Sequence, residues 1–440
     1  MAGRIQLEAQ SKSDRFFTQK PELSFFNERF KAAGHFASET LEIEADNDTP
    51  DFGKTVRFTI PANSGDLIRY LSVRVVLPGL EGLNGWIESI GHCLFEYVDF
   101  IIGGTVVQRL NTDYLGCVYA EHRTTQSQQR ALEKLVGKYP IRSAADRVGS
   151  KRILYHLGNA ALNTDFEYYV DLPFWFSQAE SLAVPLCAMR TQEVEVEMKL
   201  RDYRPLVCNY QSIDATRPDL TIKPSIKELV LAAEMVYLEP AEVTRLQSLT
   251  LDYVITQTQE QKFTIRSGEL SKRFFMDLRH PVSELYFFVQ RDDLDQEQEF
   301  CSPLDYDNIT VDPSTQYGRL SPDGRLLLYE HLEHLELTFD GEKILNEKTG
   351  RWLFLKSAQS SLHHSKSQII RRFYSYAFAL EPENGAYPSG SLNMDRYKDQ
   401  ILDVKLNTSN YNRELRVLAL SHNILRVEGN HARTIFTDNS

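Results

Sequence analysis

The chain has 440 residues and a mass of 50.7 kDa, more than one ordinary core holds, so two domains are expected. A hydrophobic fraction of 42% fits a packed protein, and 61 acidic against 49 basic residues leave a net charge of −12, which opposes a broad grip on nucleic acid. No apolar run exceeds five residues, whereas a membrane helix needs about 20, and the start has no apolar signal-peptide centre; neither classical secretion nor helical membrane spanning is expected.

The first 25 residues carry Arg4, Lys12, Arg15 and Lys20, with few apolar residues before Phe16. Two readings stay open for this arm: disorder until assembly, or docking on a partner. Beyond it, period-two and short apolar patterns dominate. They include Val56-Arg57-Phe58-Thr59-Ile60, Leu71-Ser72-Val73-Arg74-Val75-Val76-Leu77, Glu193-Val194-Glu195-Val196-Glu197-Met198 and Ile401-Leu402-Asp403-Val404-Lys405-Leu406. Alternation turns one set of side chains to a core and the other to solvent, and 24 Phe with 21 Tyr suit a pleated surface. The same period sends Glu193, Glu195 and Glu197 to one solvated strand face rather than into a catalytic cluster.

One stretch has the other period. From about Glu121 to Lys138 there are good helix formers, no Pro, and Ala131, Leu132, Leu135 and Val136 at helical spacing, which predicts a short amphipathic helix. A second short helix is predicted from Pro240 to Leu246, with Pro in the first turn and Glu242 near the positive end. It would join two domains.

The halves repeat similar segments in the same order. Lys54–Ile60 is echoed by Gln259–Ile265, Leu71–Val76 by Glu284–Val289, Phe100–Gly104 by Leu337–Gly341, Tyr169–Pro173 by Tyr376–Leu380, Val194–Met198 by Leu402–Leu406, and Glu228–Leu231 by Glu414–Val417. Preserved order over most of the chain predicts a duplicated β domain with its boundary near Glu239 to Gln247. Each half is long enough for an eight-stranded jelly roll with long insertions and too long for one immunoglobulin-like unit. The expected fold is all-β: an arm at 1–25, a first jelly-roll sandwich at 26–240 and a second at 241–440, with a few short helices.

The residues then carry a family resemblance. Phe58-Thr59-Ile60-Pro61, Gly65-Asp66-Leu67-Ile68, Tyr70-Leu71, Leu77-Pro78, Trp86-Ile87, Ile90-Gly91 and Ile102-Gly103-Gly104 resemble the first jelly roll of major capsid proteins of nucleocytoplasmic large DNA viruses. Tyr374 to Glu383, Pro388-Ser389-Gly390-Ser391-Leu392-Asn393 and Arg396 resemble the second, and Asn423 to Val427 its last strand. The chain departs from the family pattern at Met394-Asp395 and at Glu428-Gly429-Asn430-His431-Ala432. The resemblance implies a structural protein of the virion capsid, assembled in the host cytoplasm from homotrimers of pseudo-hexagonal outline that tile an icosahedral shell. It implies minor capsid proteins beneath the shell, an internal viral membrane nearby and no direct contact with nucleic acid.

Read without the family, the motif residues are strand connections. Gly103-Gly104 supports a tight reversal, Pro388-Ser389-Gly390 is turn chemistry, and Asn393 can bond neighbouring backbone. Signals of catalysis are weak. Gly53-Lys54-Thr55 ends like a phosphate loop, but the first Gly of that loop is missing, and GxSxG and GxGxxG do not occur. His331 with His334, and His363 with His364, lack HExxH context and read as surface or edge histidines. Asp46 to Asp51 and Asp292 to Glu297 are acidic loops without the Gly of a calcium loop. Asn47, Asn308 and Asn407 begin glycosylation sequons that are expected to go unused. Cys93, Cys117, Cys187, Cys208 and Cys301, widely spaced and odd in number, read as reduced core thiols. No catalytic, cofactor or metal residue is expected. The alternatives are a transient double jelly-roll assembly scaffold, or a tandem jelly-roll carbohydrate binder using aromatics such as Trp175, Tyr203 and Tyr210.

Overall fold

The computed structural model describes residues 2–8, 11–22, 24, 26, 32–46, 49–81, 84–138, 165–209, 220–292, 303–304, 306, 330–366, 372–409 and 411–436. Asn47, Asp48, Tyr210, Asp293 to Glu297, Cys301 and Asn308, and the side chain of Cys208, lie outside the described residues. Contacts divide the chain into two compact units, Met1–Phe36 and Ala37–Ser440. The first holds helices Ala2–Glu8 and Lys12–Thr18; the second of these starts with a reciprocal cap between Ser11 and Asp14.

The larger unit is built from strands, several of which, such as Thr55–Ile60, Val194–Leu200 and Gln400–Leu406, alternate in burial. In chain order these are β1 Phe36–Ile43, β2 Thr55–Ile60, β3 Leu67–Leu77, β4 Asn84–Trp86, β5 Phe95–Ile102, β6 Thr105–Asn111, β7 Phe166–Leu172, β8 Val194–Leu200, β9 Val207–Asn209 and β10 Glu228–Leu238. After the helix Pro240–Ser248 come β11 Leu251–Ile265, β12 Ser271–Met276, β13 Pro281–Arg291, β14 Leu332–Phe339, β15 Glu342–Leu345, β16 Phe373–Ala377, β17 Leu392–Asn393, β18 Gln400–Leu406, β19 Arg413–Glu428 and β20 His431–Thr434.

Two sheets face each other in each half. The first half pairs the orders β1-β10-β3-β7 and β2-β8-β5-β6, with a small β4-β9 ribbon; the second pairs β11-β19-β13-β16 and β12-β18-β14-β15, with β17 and β20 added beside β13 and β19. Read strand for strand the two orders are the same, so the chain is a double jelly roll. Among the described residues no sheet joins a strand before Pro240 to one after it. Inward residues such as Val56, Phe58 and Ile60 on β2, or Leu402, Val404 and Leu406 on β18, are buried, while their neighbours face outward. On the outward face Glu195 and Glu197 of β8 are half-buried and meet Arg57 of β2 at 3.7 and 2.8 Å, and Glu193 is exposed.

The repeat inferred from sequence matches this topology at five of its six places. The first pairing was one strand out. Lys54–Ile60 leads into and forms β2, in the sheet β2-β8-β5-β6, whereas Gln259–Ile265 ends β11, in the sheet that corresponds to β1-β10-β3-β7; the counterpart of β2 is β12. Local alternation specifies which way side chains point, not which sheet a strand joins.

The helix expected from Glu121 to Lys138 is also corrected. Tyr114–Arg123 winds in wide π-helical turns, and a separate helix, Gln126–Leu135, starts after Thr125, whose hydroxyl oxygen accepts from Gln128 N at 3.4 Å. Leu132 and Val136 are buried and Ala131 and Leu135 exposed, because i and i+4 share one stripe and the adjoining stripe faces solvent. Cys93, Cys117 and Cys187 are buried thiols that form no disulfide.

Candidate functional site

The motif residues act as local connectors. Phe58 is fully buried in the core, and Pro61 opens a turn whose carbonyl accepts from Ser64 N at 3.1 Å and Ser64 Oγ at 2.6 Å. Gly65 lies where any Cβ would stand 2.8 Å from Met235 Cβ. Next to it Asp66 ties the start of β3 to the end of β10: its N donates to Val236 O at 3.0 Å and its Oδ2 accepts from Leu238 N at 2.9 Å. Gly103 and Gly104, at φ +55° and +77°, close the β5–β6 hairpin, and Asp340 and Gly341, at +47° and +87°, close β14–β15 in the same place.

In the other half Ser389 Oγ accepts from Glu381 N at 2.8 Å, Gly390 takes φ +137°, and Asn393 Oδ1 accepts from Asp395 N at 3.1 Å. Pro388 and Arg396 are exposed. These groups bond near the ends of their own strands and do not converge on one another.

What does converge is a seam between the sandwiches. β13 is buried on both faces. Leu285, Phe287 and Val289 join the core of the second sandwich, while Tyr286 and Phe288 join the apolar core of the first, together with Ile255, Phe373, Leu418 and Leu420. A two-sided strand reads as the continuous apolar run Leu285 to Val289 rather than as alternation, and that run was the sequence signal for the seam.

Polar pairs lock the seam in register. Arg416 of β19 meets Asp113, just past β6, through Nε–Oδ2 at 2.6 Å and Nη2–Oδ1 at 3.1 Å. Tyr306 donates its hydroxyl to the same carboxylate at 2.6 Å. Burial alone would lower the Arg416 pKa, but Asp113 more than offsets it, so the guanidinium stays charged. Gln257 of β11 donates to Val107 O of β6 at 2.8 Å, and Thr258 donates to Arg109 O. A polar cleft of about 250 Å³ lies alongside, lined by Asp113, Arg201, Lys262, Glu260, Glu414 and Arg416 among others. Its charges are of both signs.

Deeper in the seam the two equivalent helical segments meet. Tyr114–Arg123 follows the β5–β6 hairpin, and Phe354–Ala358 with Gln359–His363 follows β14–β15. His122 from the first stacks on His364 from the second, ring centroids 4.0 Å apart and 27° from parallel. His364 Nε2 lies 2.6 Å from Glu284 Oε1 and its Nδ1 3.2 Å from Glu383 Oε1. Burial, then the neighbouring His364, holds the His122 pKa well below its usual value; at His364 burial is outweighed by Glu284 and Glu383, which bring it up to about 9.

The surface or edge reading is corrected for His331 and His364. His364 and His331 are buried, and His334 and His363 are half-buried. A spacing argument on a single strand could not see that His364 sits where two halves of the chain meet. Trp175 is buried and packs edge-on to Phe100 at 5.2 Å, and Tyr203 packs against Phe52 at 6.4 Å, so both serve as packing.

Two sandwiches of equal strand order locked along one seam define a double jelly-roll protein of the viral capsid type. The chain belongs to the family of large eukaryotic DNA virus major capsid proteins: the family model for the major capsid protein N-terminus matches residues 24–239, and that for the large eukaryotic DNA virus major capsid protein matches residues 242–432. Among curated relatives, the major capsid protein of Pyramimonas orientalis virus is 24% identical over 433 residues, 97% of this chain and 96% of the relative. That of Phaeocystis pouchetii virus is 27% identical over 324 residues, 69% of this chain and 60% of the relative. Of solved structures, a quasi-atomic model of the PBCV-1 virus capsid superposes with a TM-score of 0.74 at 18% identity, covering 94% of this chain and 100% of the other. The Faustovirus major capsid protein gives 0.71 at 12% identity, covering 95% and 94%.

Proposed function

We propose that this chain is the building block of a virion shell. Three copies close a pseudo-hexagonal ring, and these homotrimers tile an icosahedral capsid assembled in the host cytoplasm. The division of labour is an arm at 1–25 and jelly rolls at 26–240 and 241–440. The observation that carries the reading is the seam repeated once too few. Within one chain, the β6 edge and the helical segment after it, from the first sandwich, cover the outer face of β11-β19-β13-β16 in the second. The equivalent partners are the β15 edge with the segment 354–363, and the outer face of β1-β10-β3-β7.

The parts of these two surfaces that stay exposed are left for a neighbouring copy. Leu353 and Leu362 are 42% and 69% exposed, Tyr169 on β7 is 38% exposed, and most of β1 faces outward. Head-to-tail contact between the two surfaces closes after three copies because each copy supplies two of six similar wedges. A ring of that outline fills a flat facet edge to edge.

Within the arm, Ile5, Leu7, Phe16 and Phe17 are 65 to 89% exposed on their short helices. Apolar side chains presented in this way suit docking on minor capsid proteins beneath the shell, beside an internal membrane. Among the described residues no helix is long and apolar enough to cross a membrane. Light scattering of the purified chain, with negative-stain imaging, tests the ring. Three times the 50.7 kDa chain mass and a hexagonal outline are expected, and a lone monomer under conditions that assemble particles overturns the proposal.

A further inference from the structure

His122, Glu284 and His364 come from three separate places, the end of one helical segment, β13, and the turn after the equivalent segment. One donor atom from each lies within 4.8 Å of the others, and all three residues are buried. The side chains of His364 and Glu284 are 1% and 0% exposed. Two imidazoles and a carboxylate are the donor set that borderline divalent ions prefer.

The hydrogen-bond arithmetic around His122 points the same way. Its Nδ1 lies 3.3 Å from Tyr286 Oη and its Nε2 3.3 Å from Ser360 Oγ. Each hydroxyl has a single hydrogen and a nearer acceptor: Glu284 Oε2 at 2.9 Å for Tyr286, and Lys356 O at 2.7 Å for Ser360. Both nitrogens of His122 therefore face oxygen lone pairs. A ring with one N–H leaves a bare nitrogen lone pair in a buried site.

We propose that His122, Glu284 and His364 bind a divalent transition metal of the zinc class, which clips the two sandwiches of one chain together across their seam. Glu383 serves as the outer partner, holding His364 Nδ1 at 3.2 Å while its own carboxylate is fixed by Ser365 N at 3.0 Å. The ion replaces the proton that His364 Nε2 shares with Glu284; that proton leaves to solvent, so the buried site gains one positive charge. Two nearby cations make their hydrogen bonds to other groups. Arg123 Nη2 donates to Pro382 O at 3.1 Å, and Lys366 Nζ donates to Ala120 O and Thr124 Oγ1 at 3.2 and 2.8 Å. Ligands about 2.0–2.2 Å from a tetrahedral ion stand closer together than the present spread, so a small turn of the His122 ring accompanies binding.

The test uses the full-length chain, stripped with chelator, equilibrated separately with Zn²⁺ and Co²⁺, and desalted. Elemental analysis is expected to find one zinc per chain, and the cobalt form to show the intense visible absorption of a tetrahedral site. His122→Phe keeps an aromatic ring in the stack and is expected to weaken retention at least about tenfold, as is Glu284→Gln. Zinc is expected to raise the melting temperature of the parent chain, and EDTA to reverse the rise. A parent chain that retains no stoichiometric zinc and shows no tetrahedral cobalt spectrum overturns the proposal without any variant. So does a folded His122→Phe chain that keeps both.

Discussion

Arg416 and Asp113 face each other across the seam as a two-point ion pair, 303 residues apart in sequence and both largely buried. The pair does not bring the halves together, since the apolar surface around Phe288 and Leu418 does that. It specifies the register in which they meet, because any slip strands a charge out of water. Asp113→Ala is expected to cost about 3 kcal/mol, because the buried guanidinium keeps only Glu414 Oε1 at 3.0 Å and Gln290 Oε1 at 2.8 Å and the Tyr306 hydroxyl loses its acceptor. The double change Asp113→Ala with Arg416→Met is expected to recover part of this. A double-mutant cycle by chemical denaturation measures the difference, and equal losses in single and double variants would refute the account.

β13 offers a test of the two-sided sheet. Phe287 and Phe288 are adjacent and both fully buried, one in the second sandwich's core and one in the seam. Phe287→Ala and Phe288→Ala are each expected to cost about 3–5 kcal/mol. Phe275→Ala on β12, 70% exposed, should stay within about 0.5 kcal/mol. Denaturation midpoints of the three variants decide it; a Phe288 variant as mild as the Phe275 one would show that the seam does not bear weight.

The hairpin glycines should separate by surroundings. A Cβ at Gly103 would stand 2.6 Å from Gln192 Nε2, while Gly104 has open space around it; both have positive φ. Gly104→Asn is expected to cost less than about 1 kcal/mol, since Asn tolerates the left-handed region and nothing crowds a Cβ there, although the counterpart in the other half, Gly341, is also glycine. Gly103→Val should cost about 1–2 kcal/mol from the backbone alone, with the Gln192 contact adding to it. Thermal melts of the two variants give the order.

Ring closure can be cut without touching the core. Leu362 lies on the segment proposed to meet a neighbouring copy and is 69% exposed. Leu362→Glu is expected to leave the circular dichroism spectrum and melting temperature of the isolated chain unchanged while weakening trimer formation at least about tenfold, the loss of roughly 1.4 kcal/mol per contact. Sedimentation across a concentration series reads this. Unchanged trimers would place the interface elsewhere.

Much of the architecture was legible before any coordinates. A period of two along β2, β3, β8 and β18 determines which side chains go inward whatever else the chain does, and the ordered echo of five segments required two like sandwiches. Gly103-Gly104 and the helix that starts at Pro240 follow from backbone chemistry that acts within a few residues. Folding alone decided the rest. Which sheet a strand joins depends on partners far away in sequence, so β2 was matched to β11 when its counterpart is β12. His122 and His364 carry no local sign of each other, because each sits in an ordinary polar context and only the packing of one half on the other brings them together and excludes water. Short-range periodicity is written residue by residue, whereas burial at a seam is a property of two surfaces, and neither surface alone contains it.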